Sequence, residues 1–175
     1  MILTKNKSLF SKAKYLSTQA KDNANFFIHN EVGFNFRLSN IHSAIGKAQI
    51  EKLNIILKKK KRINIFYKKE INKIKGLKIM DNPSYSDSNN WLNILFVDEK
   101  RYGLSKNMIM KKFIKHGIEA RSVWYPNHMQ KPFLKFEKYK IYKAYNSFKK
   151  SLCLPSSFGI KKNELNHIVN ILKTR

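Results

Sequence analysis

The chain has 175 residues, of which 42% are hydrophobic and 27% are charged. This composition is typical of a globular protein with one core and excludes a disordered tail. The formal net charge of +25 favours nucleic acid or an anionic membrane surface as a partner. A single cysteine excludes an internal disulfide, the histidines show no metal-ligand spacing, and no window resembles a membrane span or a signal sequence. We therefore expect a cytoplasmic protein that holds no metal.

The positive charge comes almost entirely from lysine. Arginine, which suits bidentate contacts to phosphate and guanine, is scarce, and no zinc-finger, basic-zipper or RNP signature is present. We therefore expect no specific nucleic acid partner. A basic, lysine-rich nucleic-acid-binding module stays open as an alternative, because the charge favours it although no motif does.

The N-terminal segment predicts a strand, a helix and a loop. Residues 1–3 are largely apolar and predict the end of a strand. Ser8 is a suitable cap for a helix over residues 9–16, in which apolar side chains recur every three to four positions. Residues 22–29 are polar and aromatic, which predicts a loop.

The stretch EVGFNFRLSNIHSAIGKAQ, residues 31–49, leads from a turn into a helix. Gly33 permits a backbone turn, and Ser39 or Asn40 can cap a helix that begins near Ile41. Polar side chains are concentrated immediately before this helix. The stretch therefore predicts a polar turn that delivers side chains to a helix N-terminus.

Asn35 and Arg37 make this turn a candidate anion site. A helix N-terminus presents unpaired N–H groups and the positive end of the helix dipole. An amide and a guanidinium nearby would complete the coordination of a phosphate. The alternative is a capped helix with a turn asparagine and a solvated arginine, and the pattern by itself does not exclude it.

Apolar residues repeat with helical spacing over residues 41–74, which predicts one long amphipathic helix that ends at Gly76. Small residues in its first turns permit the close approach of another backbone. The run KKKKR, residues 58–62, is interpreted as a solvated face, since like charges on a helix usually point to water.

The rest of the chain predicts a smaller α+β unit in which helices cover one face of a sheet. Ser105 is the expected cap of its first helix, and Gly117 the expected stop. In order, the predicted elements are strands over residues 77–80 and 91–97, a helix over 106–116, a strand over 118–123, and helices over 138–149 and 162–173.

Four blocks of the sequence resemble the DegT/DnrJ/StrS family of pyridoxal-phosphate-dependent nucleotide-sugar aminotransferases. Their order and spacing follow the family, and they span most of the chain. The likeness is greatest to the branch that aminates the 4-position of a UDP-linked 4-keto-6-deoxy-N-acetylhexosamine, as in bacillosamine or legionaminic acid synthesis. The blocks are KAKYLSTQAKD (12–22), IHNEVGFNFRLSNIHSAIGKAQIEKL (28–53), GIEARSVWYPNHMQKPF (117–133) and SLCLPSS (151–157).

The resemblance implies an α/β fold, the C-terminal part of a fold-type-I aminotransferase. Residues 1–40 would be the tail of the large cofactor-binding domain, residues 41–75 a long connecting helix, and residues 76–175 a small α+β domain. The complete enzyme would be a homodimer. The lysine that forms the Schiff base with the cofactor would precede Met1, so the chain would supply no catalytic residue and would be inactive by itself.

The resemblance also implies roles for four residues. Asn35 and Arg37 belong to the family's GxNxR motif, whose asparagine comes from the neighbouring subunit and binds the cofactor phosphate. Arg121 and His128 lie in or beside the loop that approaches the nucleotide sugar, and are the expected polar contacts to the substrate.

The implied reaction moves an amino group from glutamate, through pyridoxal 5'-phosphate, to a nucleotide-linked 4-keto-6-deoxy sugar used for cell-surface polysaccharide or glycan. A separately encoded N-terminal half would then complete the enzyme. Besides the nucleic-acid-binding module, the sequence leaves a second alternative open, an inactive product of a truncated gene.

Overall fold

The computed structural model describes residues 2–23 and 28–174, and the chain divides into two compact units, Met1–Lys52 and Leu53–Arg175. The first unit contains helices α1 (Lys7–Ser17) and α2 (Asn40–Glu51) and a pair of short antiparallel strands, β1 (Lys21–Asn23) and β2 (Ile28–His29). Each of the two units is described by itself below.

The start of the first unit differs from the sequence prediction. Asn6, not Ser8, caps α1, because its side-chain oxygen accepts hydrogen bonds from Ser8 N at 2.9 Å and Leu9 N at 3.1 Å. Ile2 and Leu3 lie in no strand, and Met1 falls outside the described residues. Strands β1 and β2 occupy the ends of the predicted loop 22–29, of which residues 24–27 lie outside the described residues.

The predicted single helix over residues 41–74 is two helices. The series of α-helical hydrogen bonds is interrupted at Lys52. The Lys52 N–H donates to Gln49 O, three residues earlier in the chain, at 3.2 Å. Helix α3 then runs over Leu53–Ile71 and ends five residues before Gly76. Tight turns close its end, since Ile74 N donates to Ile71 O at 2.8 Å. The prediction that Gly76 ends the helix was therefore wrong, although Gly76 does adopt a left-handed φ of 86°.

The second unit is built on one four-stranded antiparallel sheet with the order β3–β4–β6–β5. This α+β architecture matches the predicted layer of helices on a sheet. The strands are β3 (Leu77–Ile79), β4 (Asn93–Val97), β5 (Arg121–Ser122) and β6 (Ser151–Leu154), and the helices are α3 with α4 (Glu99–Tyr102), α5 (Lys106–Lys115), α6 (Tyr142–Lys150) and α7 (Lys162–Lys173).

One face of this sheet forms the core. Alternate residues of β4 are buried, and they pack with apolar stripes of α3, α5 and α7, as the helical spacing of those stripes requires. Within the described residues, no helix is long and apolar enough to cross a bilayer. The fully buried core side chains include Tyr67, Ile71, Ile79, Leu95, Tyr102, Ile109, Phe113, Leu152 and Leu172.

Candidate functional site

The stretch that carries the candidate anion site is bonded to the end of α1. Phe34 N donates to Leu16 O at 2.7 Å, and Gln19 N donates to Phe34 O at 3.1 Å. Gly33 lies very close to the backbone that follows α1. A Cβ atom on Gly33 would be 2.2 Å from the carbonyl carbon of Gln19 and 2.3 Å from Ala20 N. Gly33 is therefore required by a close approach of two backbones, not by the φ freedom that its place in a turn had suggested.

Asn35 and Arg37 follow on this segment and lead directly into α2. Of the two predicted caps, Ser39 is the one that caps the helix, because its hydroxyl accepts a hydrogen bond from His42 N at 3.3 Å. Both Asn35 and Arg37 are exposed, and within residues 2–23 and 28–174 neither side chain has a hydrogen bond or an ion pair. Their donors are thus available to a ligand.

The electrostatics of this segment suit an anion. Helix α2 has no acidic residue in its first turn, so the positive end of its dipole is not compensated there. The nearby carboxylate of Glu31 is already paired with the Lys12 ammonium. An asparagine amide, an arginine fork and a helix N-terminus together provide the donors that a phosphate group requires. The residues present therefore fit a phosphate-bearing cofactor.

Arg121 lies on the edge strand β5 of the second unit. Its guanidinium donates to Glu119 Oε1 from Nε at 2.9 Å and from Nη2 at 2.7 Å. Both side chains are more than 70% exposed, so the ion pair is weak, and an anionic ligand can replace Glu119. The two residues line a groove of about 900 Å³ beside β6 and α7. In the described part of the chain, no group of three His, Cys, Asp or Glu could hold a metal ion.

His128 is half-buried in the 3₁₀ turn Asn127–Met129 and is absent from the described residues that line the groove of Arg121. The structure thus brings Asn35 and Arg37 onto one segment of the first unit. It places Arg121 and His128 in the second unit without joining those two in one groove. A shared role for Arg121 and His128 in substrate binding stays a prediction.

Two lysines that the sequence did not single out are held inside the second unit. Lys60 Nζ donates to Trp91 O at 3.0 Å and also to Ser156 O. Lys106 Nζ donates to Ser122 Oγ at 2.8 Å and to Phe148 O. Burial lowers the pKa of both ammonium groups. A lowered pKa suits a lysine that forms a Schiff base, but both groups are engaged with backbone carbonyls.

The environment of Lys60 corrects the sequence interpretation of residues 58–62 as a solvated face at that one position, whereas Lys58, Lys61 and Arg62 are exposed as predicted. Lys60 precedes Asn64, Tyr67 and Ile71, three of the four buried residues of α3, by four, seven and eleven positions. That spacing places Lys60 on the buried stripe of the helix. This helical spacing could be read from the sequence, but the run of like charges favoured the interpretation as a solvated face.

A comparison with known proteins decides the family. The sequence profile of the DegT/DnrJ/EryC1/StrS aminotransferase family matches residues 1–173. The chain belongs to this family. The resemblance carried by the four sequence blocks is confirmed.

Two relatives show how much of a family member the chain represents. EpsN of Bacillus subtilis (strain 168), a candidate pyridoxal phosphate-dependent aminotransferase, is 31% identical over 177 residues, which cover 98% of this chain and 45% of EpsN. The UDP-4-amino-4,6-dideoxy-N-acetyl-beta-L-altrosamine transaminase of Campylobacter jejuni is 26% identical over 157 residues, which cover 88% of this chain and 42% of that enzyme. The chain therefore spans less than half the length of these relatives.

Solved structures share the fold. PseC of Helicobacter pylori, an aminotransferase involved in the biosynthesis of pseudoaminic acid, has a TM-score of 0.79 at 20% identity, over 97% of this chain and 46% of PseC. The pyridoxal phosphate form of Spr1654 from Streptococcus pneumoniae, a candidate sugar aminotransferase, has a TM-score of 0.80 at 19% identity, over 98% of this chain and 44% of Spr1654. The predicted α/β fold, part of a pyridoxal-phosphate aminotransferase, is confirmed.

Proposed function

We propose that this chain is the C-terminal part of an aminotransferase that moves an amino group from glutamate to a nucleotide-linked 4-keto-6-deoxy sugar. The product would serve cell-surface polysaccharide or glycan synthesis. Relatives named as transaminases of 4-amino-4,6-dideoxy sugars support this substrate class. The observation that carries the proposal is the arrangement of Asn35 and Arg37 in front of α2 on the family's motif, where neither side chain has a partner among the described residues.

Pyridoxal phosphate, the family's cofactor, supplies an electron sink for amino transfer when it is bound. In this proposal the Asn35 amide donates a hydrogen bond to the phosphate. Arg37 adds N–H donors and a positive charge, and the N-terminus of α2 adds its dipole. The pairing of residues 16–19 with residues 34–36 fixes the segment that carries both side chains.

The surface of the first unit supports a partner that covers it. Of the hydrophobic residues described in Met1–Lys52, Ala20 is the one that is buried. Large exposed apolar patches are rare on monomeric proteins, and twelve of the large hydrophobic residues described in this unit are exposed. We propose that the rest of the enzyme and a neighbouring subunit of a homodimer cover this surface, so that Asn35 reaches the neighbour's site. The large hydrophobic residues that are exposed in this unit are Ile2, Leu3, Leu9, Phe10, Ile28, Val32, Phe34, Phe36, Leu38, Ile41, Ile45 and Ile50.

The substrate would be bound by the second unit. Arg121 has an exposed guanidinium that is only weakly paired with Glu119, so the diphosphate of a nucleotide sugar can take the place of Glu119. His128 lies on the loop that follows β5 and offers a ring nitrogen to the sugar. We assign His128 to binding and not to proton transfer.

The lysine that bonds the cofactor would come from a polypeptide segment outside residues 1–175. We therefore expect that the purified chain, mixed with pyridoxal phosphate and reduced with borohydride, carries no stoichiometric pyridoxyl label on any single lysine. Lys60 and Lys106, the lysines with lowered pKa, should be protected by their carbonyl partners. Peptide mass mapping checks this. One lysine labelled to completion would overturn this part of the proposal.

The net charge of +25 favours a second candidate function, nucleic acid binding. We expect this binding to be weak and indifferent to sequence, with a dissociation constant of about 10⁻⁴ to 10⁻⁶ M at physiological salt, because lysine attraction to phosphate acts through counterion release. Fluorescence anisotropy with duplexes of different sequence measures it. Binding to one sequence at about 10⁻⁸ M or tighter in physiological salt would favour the nucleic-acid module instead.

A further inference from the structure

A second groove in the Leu53–Arg175 unit has a different character from the groove of Arg121. It lies between α3 and the start of α7 and has a volume of about 610 Å³. Its floor is apolar, and none of the described residues that line it is a carboxylate. The floor is formed by Ile55, Ile63, Phe66, Ile160 and Leu165.

Four cations surround this floor, Lys58, Lys59, Arg62 and Lys162. Within the described residues none of the four has an ion-pair partner. Lys59 Nζ lies 4.5 Å from the centre of the Phe158 ring, a contact that leaves its charge uncompensated. An apolar floor with unpaired positive charges on its rim complements a ligand with an apolar ridge and negative flanks.

The length of the floor indicates the kind of ligand. Ile55, Ile63 and Phe66 lie on one helix, and the eleven steps from residue 55 to residue 66 correspond to about 16 Å, or three turns. A groove of this length accepts a helix that places apolar anchors at i, i+3 or i+4, and i+7. We propose that this groove binds an acidic amphipathic helix of a partner protein. The proposal does not depend on the aminotransferase function.

Charge and shape favour this occupant over three others. A second copy of the chain has few acidic side chains to offer this positive rim, since it contains 11 Asp+Glu against 36 Lys+Arg. A nucleic acid duplex offers negative charge but no apolar ridge for the floor. A bilayer surface is broad, whereas the apolar lining is confined to a groove of about 610 Å³ between two helices.

The test uses the whole chain and a synthetic helical peptide of about four turns, with leucines at i, i+3 and i+7 and glutamates on both flanks. A peptide with glutamine in place of glutamate is the matched probe. We expect the acidic peptide to bind, and Arg62→Glu with Lys162→Glu to weaken binding at least about tenfold. Lys111→Glu with Lys115→Glu, on the exposed face of α5, makes the same change of net charge and should weaken binding about twofold at most.

The apolar floor is tested separately. Ile55→Ser should weaken the binding of the acidic peptide several-fold. Ile65→Ser, on the same helix but outside the groove, should leave the binding unchanged. Ile55 and Ile65 are 62% and 55% exposed, so neither change should unfold the chain. The proposal would be overturned if the rim variant and the α5 variant lost equal affinity for the acidic peptide. It would also be overturned if the acidic and glutamine peptides bound with the same affinity. Tighter binding of duplex DNA or phosphatidylserine vesicles with the same sensitivity to the rim variants would overturn it as well.

Discussion

Replacing Gly33 by alanine is expected to lower the free energy of unfolding by about 1–3 kcal/mol, since the added Cβ atom has to displace backbone. The atoms it would meet, Gln19 C at 2.2 Å and Ala20 N at 2.3 Å, belong to a segment that cannot move without breaking hydrogen bonds. Hydrogen exchange should accelerate most at the amides of Phe34 and Phe36, which donate to Leu16 O and Ser17 O.

Gly46→Ala is the matched control for this substitution. Gly46 lies in the interior of α2, and a Cβ atom there would meet nothing within 4 Å. Alanine should therefore stabilise the helix by about 0.5–1 kcal/mol, a change of opposite sign. Unchanged exchange at Phe34 in the Gly33→Ala chain would contradict the close approach that the structure describes.

Asn35→Ala is expected to weaken pyridoxal phosphate binding about tenfold to a hundredfold in a complete enzyme, made by joining this chain to the N-terminal part of EpsN. The loss of one hydrogen bond to a charged group costs about 1.5–3 kcal/mol, and about 1.4 kcal/mol corresponds to a tenfold change in affinity. The absorbance of the bound cofactor, followed during titration, measures the dissociation constant.

His128→Ala is the comparison for Asn35→Ala. We expect it to retain the cofactor and to raise KM for the nucleotide sugar, because the loop that carries His128 is assigned to the substrate. Asn35→Ala chains mixed with chains that lack the cofactor lysine should recover activity, since one site of the mixed dimer keeps both groups. Equal cofactor affinity in Asn35→Ala and the parent would refute the phosphate role of Asn35.

The helical caps of the second unit could be predicted from local sequence. Ser105 accepts a hydrogen bond from Met108 N at 3.3 Å, and Gly117 takes a left-handed φ of 70°, as their positions at the ends of α5 predicted.

Strand β6 could not be predicted by periodicity. All four of its residues are buried, so SLCL shows no alternation, although it lies between β4 and β5 in the sheet.

Other elements had weaker local signals. The predicted strand over residues 118–123 is reduced to Arg121–Ser122, and the helix predicted from residue 138 begins at Tyr142. The break at Lys52 has no glycine or proline to mark it. Such boundaries depend on packing between segments distant in sequence, which local propensity does not contain.

The position of the candidate site in the fold was predictable from sequence, whereas the contacts that support it were not. The motif placed Asn35 and Arg37 before a capped helix, and the structure has them there. The contact of Gly33 with Gln19 joins segments fourteen residues apart, so only the folded chain reveals it. The tether from Lys60 to Ser156 O spans ninety-six residues and is likewise a product of tertiary structure.

The most direct test of the central claim is amino transfer by the chain joined to the N-terminal part of EpsN. The substrates are glutamate and a UDP-linked 4-keto-6-deoxy-N-acetylhexosamine, and mass spectrometry detects the 4-amino sugar. We predict product from the joined protein and none from this chain or the EpsN part alone. Amination by the chain alone would contradict the account. So would a joined protein that folds and binds pyridoxal phosphate yet aminates no UDP-, GDP- or dTDP-linked 4-keto sugar.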